Sequence, residues 1–277
     1  MANQQPKLIY PCNVKTIEEL RHYTAGVHPP RSSSPYRTKF QSTHEESESA
    51  KNIKNDPAKW DWEYYINEYG FRDPWRLETN TKKIGFFGCS VTFGVGVDSK
   101  CTFSNLVEQA YGSTFVESIN FGIGGSSIQR MAKLVSSAIK VINFDAIVLT
   151  LPTTDRFLVL DNENRFADMV PRFTRHTVEN KYEAFYKNFT QADRDMYATD
   201  YIHWMLAELK NLNIKVLWSS WDSPTYRHLQ EIIKPEYLLP YMAFIDRGRD
   251  NGHPGNLTVA RYAENIVDRL GTFNGPN

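Results

Sequence analysis

From residue 83 onward, short continuous apolar runs alternate with longer stretches in which apolar residues recur at helical spacing. Runs of the first kind are typical of buried parallel strands, and the amphipathic stretches predict helices that cover a sheet on both faces. The predicted strands are KIGFFG (83–88), FVESINFG (115–122), FDAIVLTL (144–151) and IKVLWSSW (214–221). The predicted helices are TFSNLVEQAYG (102–112), SSIQRMAKLVSSAIKVI (126–142), YATDYIHWMLAELKNLN (197–213) and NLTVARYAENIVDRLG (256–271). The pattern therefore predicts an α/β fold with a central, mostly parallel sheet.

The first 57 residues lack sustained periodicity and are rich in serine, proline and charged residues. They predict an extended polar arm, residues 1–57, ahead of one domain over residues 58–277 whose core spans about 83–270. Such an arm runs as a surface loop, wraps the domain, or contacts a neighbouring subunit or larger assembly, and these alternatives stay open. WDWEYYINEYGFRDPW (60–75) predicts a hairpin or short strand with a turn at 67–70, and a polar, aromatic-rich insertion is expected at about 155–192.

The charge balance argues against a nucleic-acid partner. Lys+Arg and Asp+Glu each number 32 among 277 residues, so the formal net charge is zero and no basic excess is available to bind phosphates. No apolar run approaches the roughly 18 residues that a membrane-spanning helix needs, and the N-terminus lacks the pattern of a signal peptide. We therefore expect no membrane span, and a cytoplasmic or virion-associated protein.

No motif in the chain requires a metal or an organic cofactor, so none is expected. The three cysteines, Cys12, Cys89 and Cys101, lack the number and spacing of a disulfide framework or a zinc site, and they predict plain thiols. KKIGFFGCSVTFGVGV (82–97) lacks the Lys-Ser/Thr pair of a phosphate loop and the third glycine of a dinucleotide fingerprint.

Ligands of parallel sheets bind beyond the carboxyl ends of the strands, so the residues that follow each strand are the candidates for chemistry. Ser90 follows the first strand among glycines, where a serine serves as a nucleophile or simply caps a helix. NFGIGGSS (120–127) follows the second strand, and its glycines either leave backbone N–H groups open to an anion or form only a tight turn. Asp250 and His253 lie three residues apart before the last helix, where a carboxylate can orient an imidazole as a general base.

GCSVTFG (88–94), NFGIGG (120–125) and DNGHPG (250–255), in this order, resemble the conserved blocks of the SGNH (GDSL-type) hydrolase superfamily. The resemblance covers roughly residues 83–270. It implies a flavodoxin-like three-layer α/β/α sandwich and the activity of an esterase, lipase or carbohydrate deacetylase that works without a cofactor. It also implies that Ser90 is the nucleophile, that Asp250 and His253 are the catalytic pair, and that the N–H groups of Ser90 and Gly125 bind the oxyanion.

Two positions depart from the family pattern. Cys89 replaces the Asp of the Gly-Asp-Ser block, a variation that spares the serine. In LPTTDRF (151–157), Thr154 stands where the family has an Asn that donates to the oxyanion, and Asp155 matches the Asp that follows it. The Thr154 hydroxyl is the expected third donor, although it is shorter than an amide. Loss of one oxyanion donor typically costs about 100- to 1000-fold in rate.

Three functions are compatible with these residues. The first is a serine esterase or deacetylase that hydrolyses a small-molecule or glycan ester, such as an O-acyl group on a carbohydrate. The second is a non-catalytic structural or binding protein of a larger, phage-type assembly that reuses the fold. The polar arm and the missing Asn favour this function, and the complete set of Ser90, Asp250 and His253 opposes it. The third is an O-acyltransferase with the same serine and histidine, which would show acceptor-dependent transfer.

Overall fold

The computed structural model describes residues 14–24, 36–39, 63–77, 79–160, 166–169, 188–248, 250 and 252–272, and most of the predicted arm and insertion lies outside them. The strands are β1 (Tyr36–Lys39), β2 (Glu63–Ile66), β3 (Lys82–Gly88), β4 (Val116–Gly122), β5 (Ala146–Leu151), β6 (Phe157–Leu160), β7 (Phe166–Met169) and β8 (Lys215–Ser220). The α-helices are α1 (Ser90–Phe93), α2 (Phe103–Tyr111), α3 (Ile128–Val141), α4 (Gln191–Lys210), α5 (Ser223–Ile232) and α6 (Asn256–Leu270). Short 3₁₀ helices span Ile17–Tyr23, Ser99–Cys101 and Pro235–Tyr237.

The central sheet consists of four parallel strands in the order β4-β3-β5-β8. Counted within this sheet alone, the order is 2-1-3-4, which is that of a flavodoxin-like doubly wound fold. The predicted α/β fold with a parallel central sheet is confirmed. The winding direction changes between β3 and β5, and in such folds the ligand crevice opens beyond the carboxyl ends of these two strands.

Helices cover the sheet on both faces and give the fold three layers. Along β3, Phe87 packs in the core beneath α3 and α4, whereas Phe86 packs with α2 and α6 on the opposite face. This alternation follows from the two-residue period of a strand. Leu134 of α3 and Ile202 of α4 are buried on the first face, and Ile266 of α6 is buried on the second.

Two described stretches of the predicted arm contact the domain. Leu20 and Tyr23 of the first 3₁₀ helix are buried, and the Tyr23 hydroxyl shares a 2.8 Å hydrogen bond with the hydroxyl of Ser137 in α3. Farther along the arm, β1 pairs antiparallel with β2. The limits of the arm, and any contact that it makes with another subunit or assembly, stay predictions.

Besides β1, α1 and the 3₁₀ helices, two described elements have no counterpart in the predicted pattern. One is α5, which begins after Asp222, whose carboxylate accepts the backbone N–H of Thr225 at 3.0 Å as a helix cap. Only Thr225 and Leu229 of this helix are buried. The other is the hairpin formed by β6 and β7, which lies within the predicted insertion at 155–192.

Glycines at the ends of β3 and β4 let α1 lie directly on the sheet. A Cβ at Gly122 would come within 2.1 Å of the backbone nitrogen of Phe93, which is too close for any side chain. A Cβ at Gly88 would meet the hydroxyl of Thr92 at 2.1 Å and the carbonyl oxygen of Thr150 at 2.7 Å. The two glycines therefore fix how closely the backbone of α1 approaches the strand ends.

Gly122→Ala is expected to lower the free energy of unfolding by about 3 kcal/mol or more, because the new Cβ meets backbone atoms that move only if α1 moves. Gly112→Ala is the matched control. Its φ is 87°, but a Cβ there would meet only the Phe115 side chain, at 3.6 Å, so it should cost only backbone strain. That strain amounts to about 1 to 2 kcal/mol. Urea unfolding measures both losses, and a loss at Gly122 no larger than that at Gly112 would contradict the close approach of α1.

Candidate active site

Ser90 is the first residue of α1 and lies just beyond the carboxyl end of β3. Cys89 joins the strand to the helix in a non-helical conformation, and Gly94 ends the helix after one turn with a φ of 82°. α1 is thus a tight strand-to-helix turn. Such a turn presents the serine side chain at the edge of the sheet, where it is half-buried.

His253 joins Ser90 to Asp250. The Nε2 atom of His253 lies 2.8 Å from the Ser90 hydroxyl oxygen, and its Nδ1 atom is hydrogen-bonded to Oδ2 of Asp250. Backbone N–H groups of Gly252 and His253 donate to Oδ1 of the same carboxylate, at 3.2 and 3.1 Å. The structure therefore brings the three residues that the sequence singled out into one hydrogen-bonded chain.

Burial and hydrogen bonding shift the pKa of Asp250 in opposite directions. Its side chain is only 2% exposed, and burial alone would raise its pKa. Hydrogen bonds from the His253 ring and from two backbone N–H groups outweigh burial, so the pKa of Asp250 lies below its ordinary value. Asp250 is therefore a carboxylate at neutral pH. This charge favours a proton on Nδ1 of His253 and leaves Nε2 to accept one from Ser90.

The loop that carries His253 is tied to the start of α6. The carboxylate of Asp246 accepts the backbone N–H groups of Leu257 at 3.0 Å and Thr258 at 2.8 Å, both in the first turn of that helix. The backbone N–H of Gly248 donates to the carbonyl oxygen of His253 at 2.8 Å. Because α6 packs on the sheet, these bonds hold the imidazole at a set position relative to the strand ends.

Ser90 and Gly125 contribute backbone N–H groups from neighbouring loops. Gly88, Gly122 and Thr150 are paired in register at the ends of β3, β4 and β5, so the loops that follow them begin side by side. Gly125 has a φ of 75°, and Ser90 is at a helix start, where an N–H has no intrahelical acceptor. Among the residues that the structure describes, neither N–H has a hydrogen-bond acceptor. Both groups are thus available to a bound anion.

The Thr154 hydroxyl donates to a partner within the protein. Thr154 is buried, and its Oγ1 donates to Oδ1 of Asp195 in α4 at 2.8 Å. The side-chain amide of Gln191 donates to the same hydroxyl at 3.0 Å and to Asp195 at 2.8 Å. A hydroxyl carries one proton, so Thr154 can donate to an oxyanion only by turning away from Asp195. Its role as a third donor stays a prediction.

A buried arginine outside the predicted set supports α1. The Arg72 side chain is fully buried and donates to three backbone carbonyl groups at and just beyond the end of α1, those of Phe93, Gly94 and Val97. Its guanidinium carbon lies 4.6 Å from the ring centre of Tyr64, a cation–π contact. Burial lowers the pKa of Arg72, but a guanidinium stays protonated in proteins. Its carbonyl partners lie more than 20 residues away in the sequence, so no local pattern singled it out.

A second buried cation links the insertion to the loop after β4. Asp168 of β7 accepts the backbone N–H of Ser127 at 3.0 Å, and its other carboxylate oxygen lies 2.5 Å from Nε of Arg130. Arg130 is fully buried and also donates to the carbonyl oxygen of Tyr23. The N-terminal segment, the start of α3 and the hairpin of β6 and β7 therefore meet just beyond Gly125. The pairing of Asp168 with a residue so distant in sequence left no local signal.

A cavity of about 730 Å³ opens between the end of β5 and the starts of α4 and α5. This volume falls within the range of small-molecule sites, roughly 300 to 1,000 Å³. Its walls include Asp155, Arg156, Gln191, Trp221 and His228. They combine one large aromatic side chain with hydrogen-bonding groups of both charges.

The walls of this cavity touch the neighbours of the candidate nucleophile. The indole N–H of Trp221 donates to the sulfur of Cys89 at 3.3 Å, beside Ser90. The guanidinium of Arg156 donates to the carbonyl oxygen of Ser126 at 3.3 Å, beside Gly125. The cavity therefore adjoins both loops that carry the free N–H groups.

Within the described ranges, no group of three or more His, Cys, Asp and Glu side chains is placed to hold a metal ion. None of the helices in that part of the chain is both long and apolar enough to cross a bilayer.

No protein-family model and no curated protein matches the chain. Solved structures to which it is similar include a carbohydrate acetylesterase family member from Sinorhizobium meliloti, 15% identical with a TM-score of 0.44, over 69% of this chain and 100% of that one. The psychrotrophic esterase EstA from Pseudoalteromonas sp. is 9% identical with a TM-score of 0.45, over 68% and 96% of the two chains. A member of the lipolytic protein G-D-S-L family from Veillonella parvula DSM 2008 is 15% identical with a TM-score of 0.41, over 69% and 100%. The G-D-S-L family named for the last of these neighbours is the group that the sequence resembles.

Arg72→Met is expected to lower the free energy of unfolding by about 3 to 5 kcal/mol, because three buried carbonyl groups lose a charged donor. Arg76→Met is the matched control, since Arg76 is 42% exposed and pairs with Glu108 at the surface. A surface pair is worth at most about 1 kcal/mol. Urea unfolding of both variants tests this, and a loss below about 1 kcal/mol at Arg72 would show that the buried guanidinium does not stabilise the turn.

Proposed function

We propose that this protein is a serine esterase or deacetylase that hydrolyses an O-acyl ester, with an acylated carbohydrate as its substrate. The observation that carries the proposal is the chain of hydrogen bonds from the hydroxyl of Ser90 through His253 to Asp250. A serine hydroxyl within reach of an imidazole that a carboxylate orients is the arrangement that activates a serine for acyl transfer.

In the first half of the reaction, Nε2 of His253 takes the hydroxyl proton of Ser90 as the serine oxygen bonds to the ester carbonyl carbon. The carbonyl π electrons move onto the oxygen, and the N–H groups of Ser90 and Gly125 donate to this oxyanion. When the intermediate collapses, the bond to the alcohol breaks. His253 then gives the proton to the departing alcohol, and an acyl-serine remains.

In the second half, His253 takes a proton from water as the water oxygen bonds to the acyl carbon. Collapse of the second intermediate breaks the bond to Ser90, which recovers its proton from His253, and the carboxylic acid leaves. Asp250 keeps its negative charge throughout, since its pKa lies below the ordinary value. Its role is to hold the imidazole and to stabilise the imidazolium that forms twice in each cycle.

The lining of the cavity beside the site favours an ester whose alcohol part carries several hydroxyl groups. Its walls include the aromatic side chain of Trp221, and Asp155 and Gln191 supply acceptors and donors for hydroxyl groups.

One observation favours the non-catalytic alternative, in which the protein serves a larger assembly. The Thr154 hydroxyl donates to Asp195, so the oxyanion lacks the side-chain donor that an Asn supplies in the family that the sequence resembles. Transfer to an added acceptor without hydrolysis would instead support the acyltransferase alternative.

Ser90→Ala removes the attacking oxygen, so we expect hydrolysis of short-chain nitrophenyl esters to fall by at least about 10⁴-fold. Labelling by a serine-reactive fluorophosphonate should vanish with it. Ser113→Ala, at an exposed turn, is the matched control and should keep both turnover and labelling. A folded wild-type protein that shows neither would contradict the proposal and leave the non-catalytic alternative.

Asp250→Asn tests the charge of the carboxylate through its pH dependence. Because the folded pKa of Asp250 lies below its unfolded value, the carboxylate stabilises the folded protein above about pH 4. That contribution is lost as the pH falls through the folded pKa. The free energies of unfolding of wild type and variant should therefore differ at pH 7 and converge at low pH. Urea titrations at several pH values measure this, with Asp268→Asn at an exposed position as the control. A difference that stays constant with pH would contradict the charged state of Asp250.

A further inference from the structure

In the proposed reaction the oxyanion accepts hydrogen bonds from two backbone N–H groups. In the family that the sequence resembles, an Asn side chain is a third donor. Thr154 stands where that family carries an Asn, and its hydroxyl proton is directed to Asp195. We propose that Arg156, two residues farther along the chain, is a catalytic residue whose guanidinium supplies the third hydrogen bond to the oxyanion. This inference rests on the proposed function and deepens it.

Arg156 contacts one of the two loops that carry the backbone donors directly and the other through Trp221. Its Nη1 atom donates to the carbonyl oxygen of Ser126, the residue after the oxyanion glycine, at 3.3 Å. Its guanidinium carbon lies 5.6 Å from the ring centre of Trp221. The indole N–H of Trp221 in turn donates to Cys89, the residue before the nucleophile, at 3.3 Å. The guanidinium therefore contacts the neighbour of Gly125 directly and is linked through Trp221 to the neighbour of Ser90.

The Arg156 guanidinium has hydrogen-bond donors to spare. It carries five N–H groups in a fixed fork, and Nη1 provides the bond to Ser126. Its Nε atom is buried and has no hydrogen-bond partner in the part of the chain that the structure describes. A buried donor without a partner costs free energy unless a bound group accepts from it. Since Arg156 also lines the cavity, a bound substrate is the group that can do so.

A cation suits this position better than the neutral threonine hydroxyl. The charge on the substrate oxygen develops only in the transition state and the tetrahedral intermediate, and a charge-assisted hydrogen bond strengthens as that charge grows. The cation–π contact with Trp221 restrains the guanidinium before substrate binds, so little reorganisation is needed during the reaction. The expected signature is therefore an effect on kcat and not on KM.

Two other roles for Arg156 predict different signatures. If it only ties the loops together through Ser126 and Trp221, its loss should lower stability, and no small molecule should restore the rate. If it binds an anionic substituent of the natural substrate, its loss should leave the turnover of neutral esters unchanged.

The experiment measures kcat and KM for a neutral short-chain nitrophenyl ester with full-length wild type, Arg156→Ala, Arg156→Lys and the control Arg261→Ala. Arg261 is exposed and pairs only loosely, at 3.8 Å, with Glu264. We expect kcat of Arg156→Ala to fall about 100- to 1000-fold with KM changed less than about threefold. Arg156→Lys keeps the charge without the planar fork and should lie between. Arg261→Ala should match wild type.

Rescue by added guanidinium separates catalysis from structure. At concentrations that leave the wild type folded, guanidinium chloride should raise kcat of Arg156→Ala and leave Ser90→Ala inactive. Unchanged kcat in Arg156→Ala, or a lowered kcat that guanidinium does not raise, would overturn the role of Arg156 while leaving the esterase intact. Absence of turnover and of fluorophosphonate labelling in the wild type would overturn the proposed function itself, and this inference with it.

Discussion

The buried guanidinium of Arg72 is the interaction on which the candidate nucleophile depends. α1 is a single turn and has too few internal hydrogen bonds to hold its own shape. Three backbone carbonyl groups at its end accept from Arg72, whose charge is shielded from water by the rings of Tyr64 and Phe93. On the sheet side of α1, Gly122 has no side chain that would hold the turn away from the sheet. Ser90 is thus positioned by backbone that is fixed from two sides.

The same strand ends bring the other groups of the site together. β3, β4 and β5 end in register, so the loops after them deliver Ser90, Gly125 and Thr154 to one edge of the sheet. Asp250 and His253 lie on a separate loop, which is bonded to the first turn of α6 through Asp246. Along this edge, the carboxylate of Asp250, whose pKa is lowered, is hydrogen-bonded to the imidazole of His253, and the imidazole lies 2.8 Å from the hydroxyl oxygen of Ser90. The proposed acyl transfer rests on this arrangement.

Much of this could be predicted from sequence because its signals are local. Apolar runs predicted all four strands of the central sheet, and Asp250 and His253 lie only three positions apart in the sequence. The missed features depend on distant partners. Arg72 acts on carbonyl groups more than 20 residues away, and Asp168 pairs with Arg130 across the fold. Whether the Thr154 hydroxyl faces a substrate or Asp195 is decided by the position of α4, which no local pattern fixes.

The hydrogen bond between Ser90 and His253 joins residues 163 positions apart, whereas His253 and Asp250 are separated by three. Contacts of such separation have the greatest loop-closure cost and tend to form late. The contact between Asp250 and His253 can therefore form locally. The contact between Ser90 and His253 forms only after the last helix has packed on the sheet. During synthesis, as long as α6 has not emerged from the ribosome, Ser90 lacks its contact with the imidazole of His253. Under the proposed function, Ser90 therefore becomes reactive only after the first strand of the central sheet and the last helix have come together.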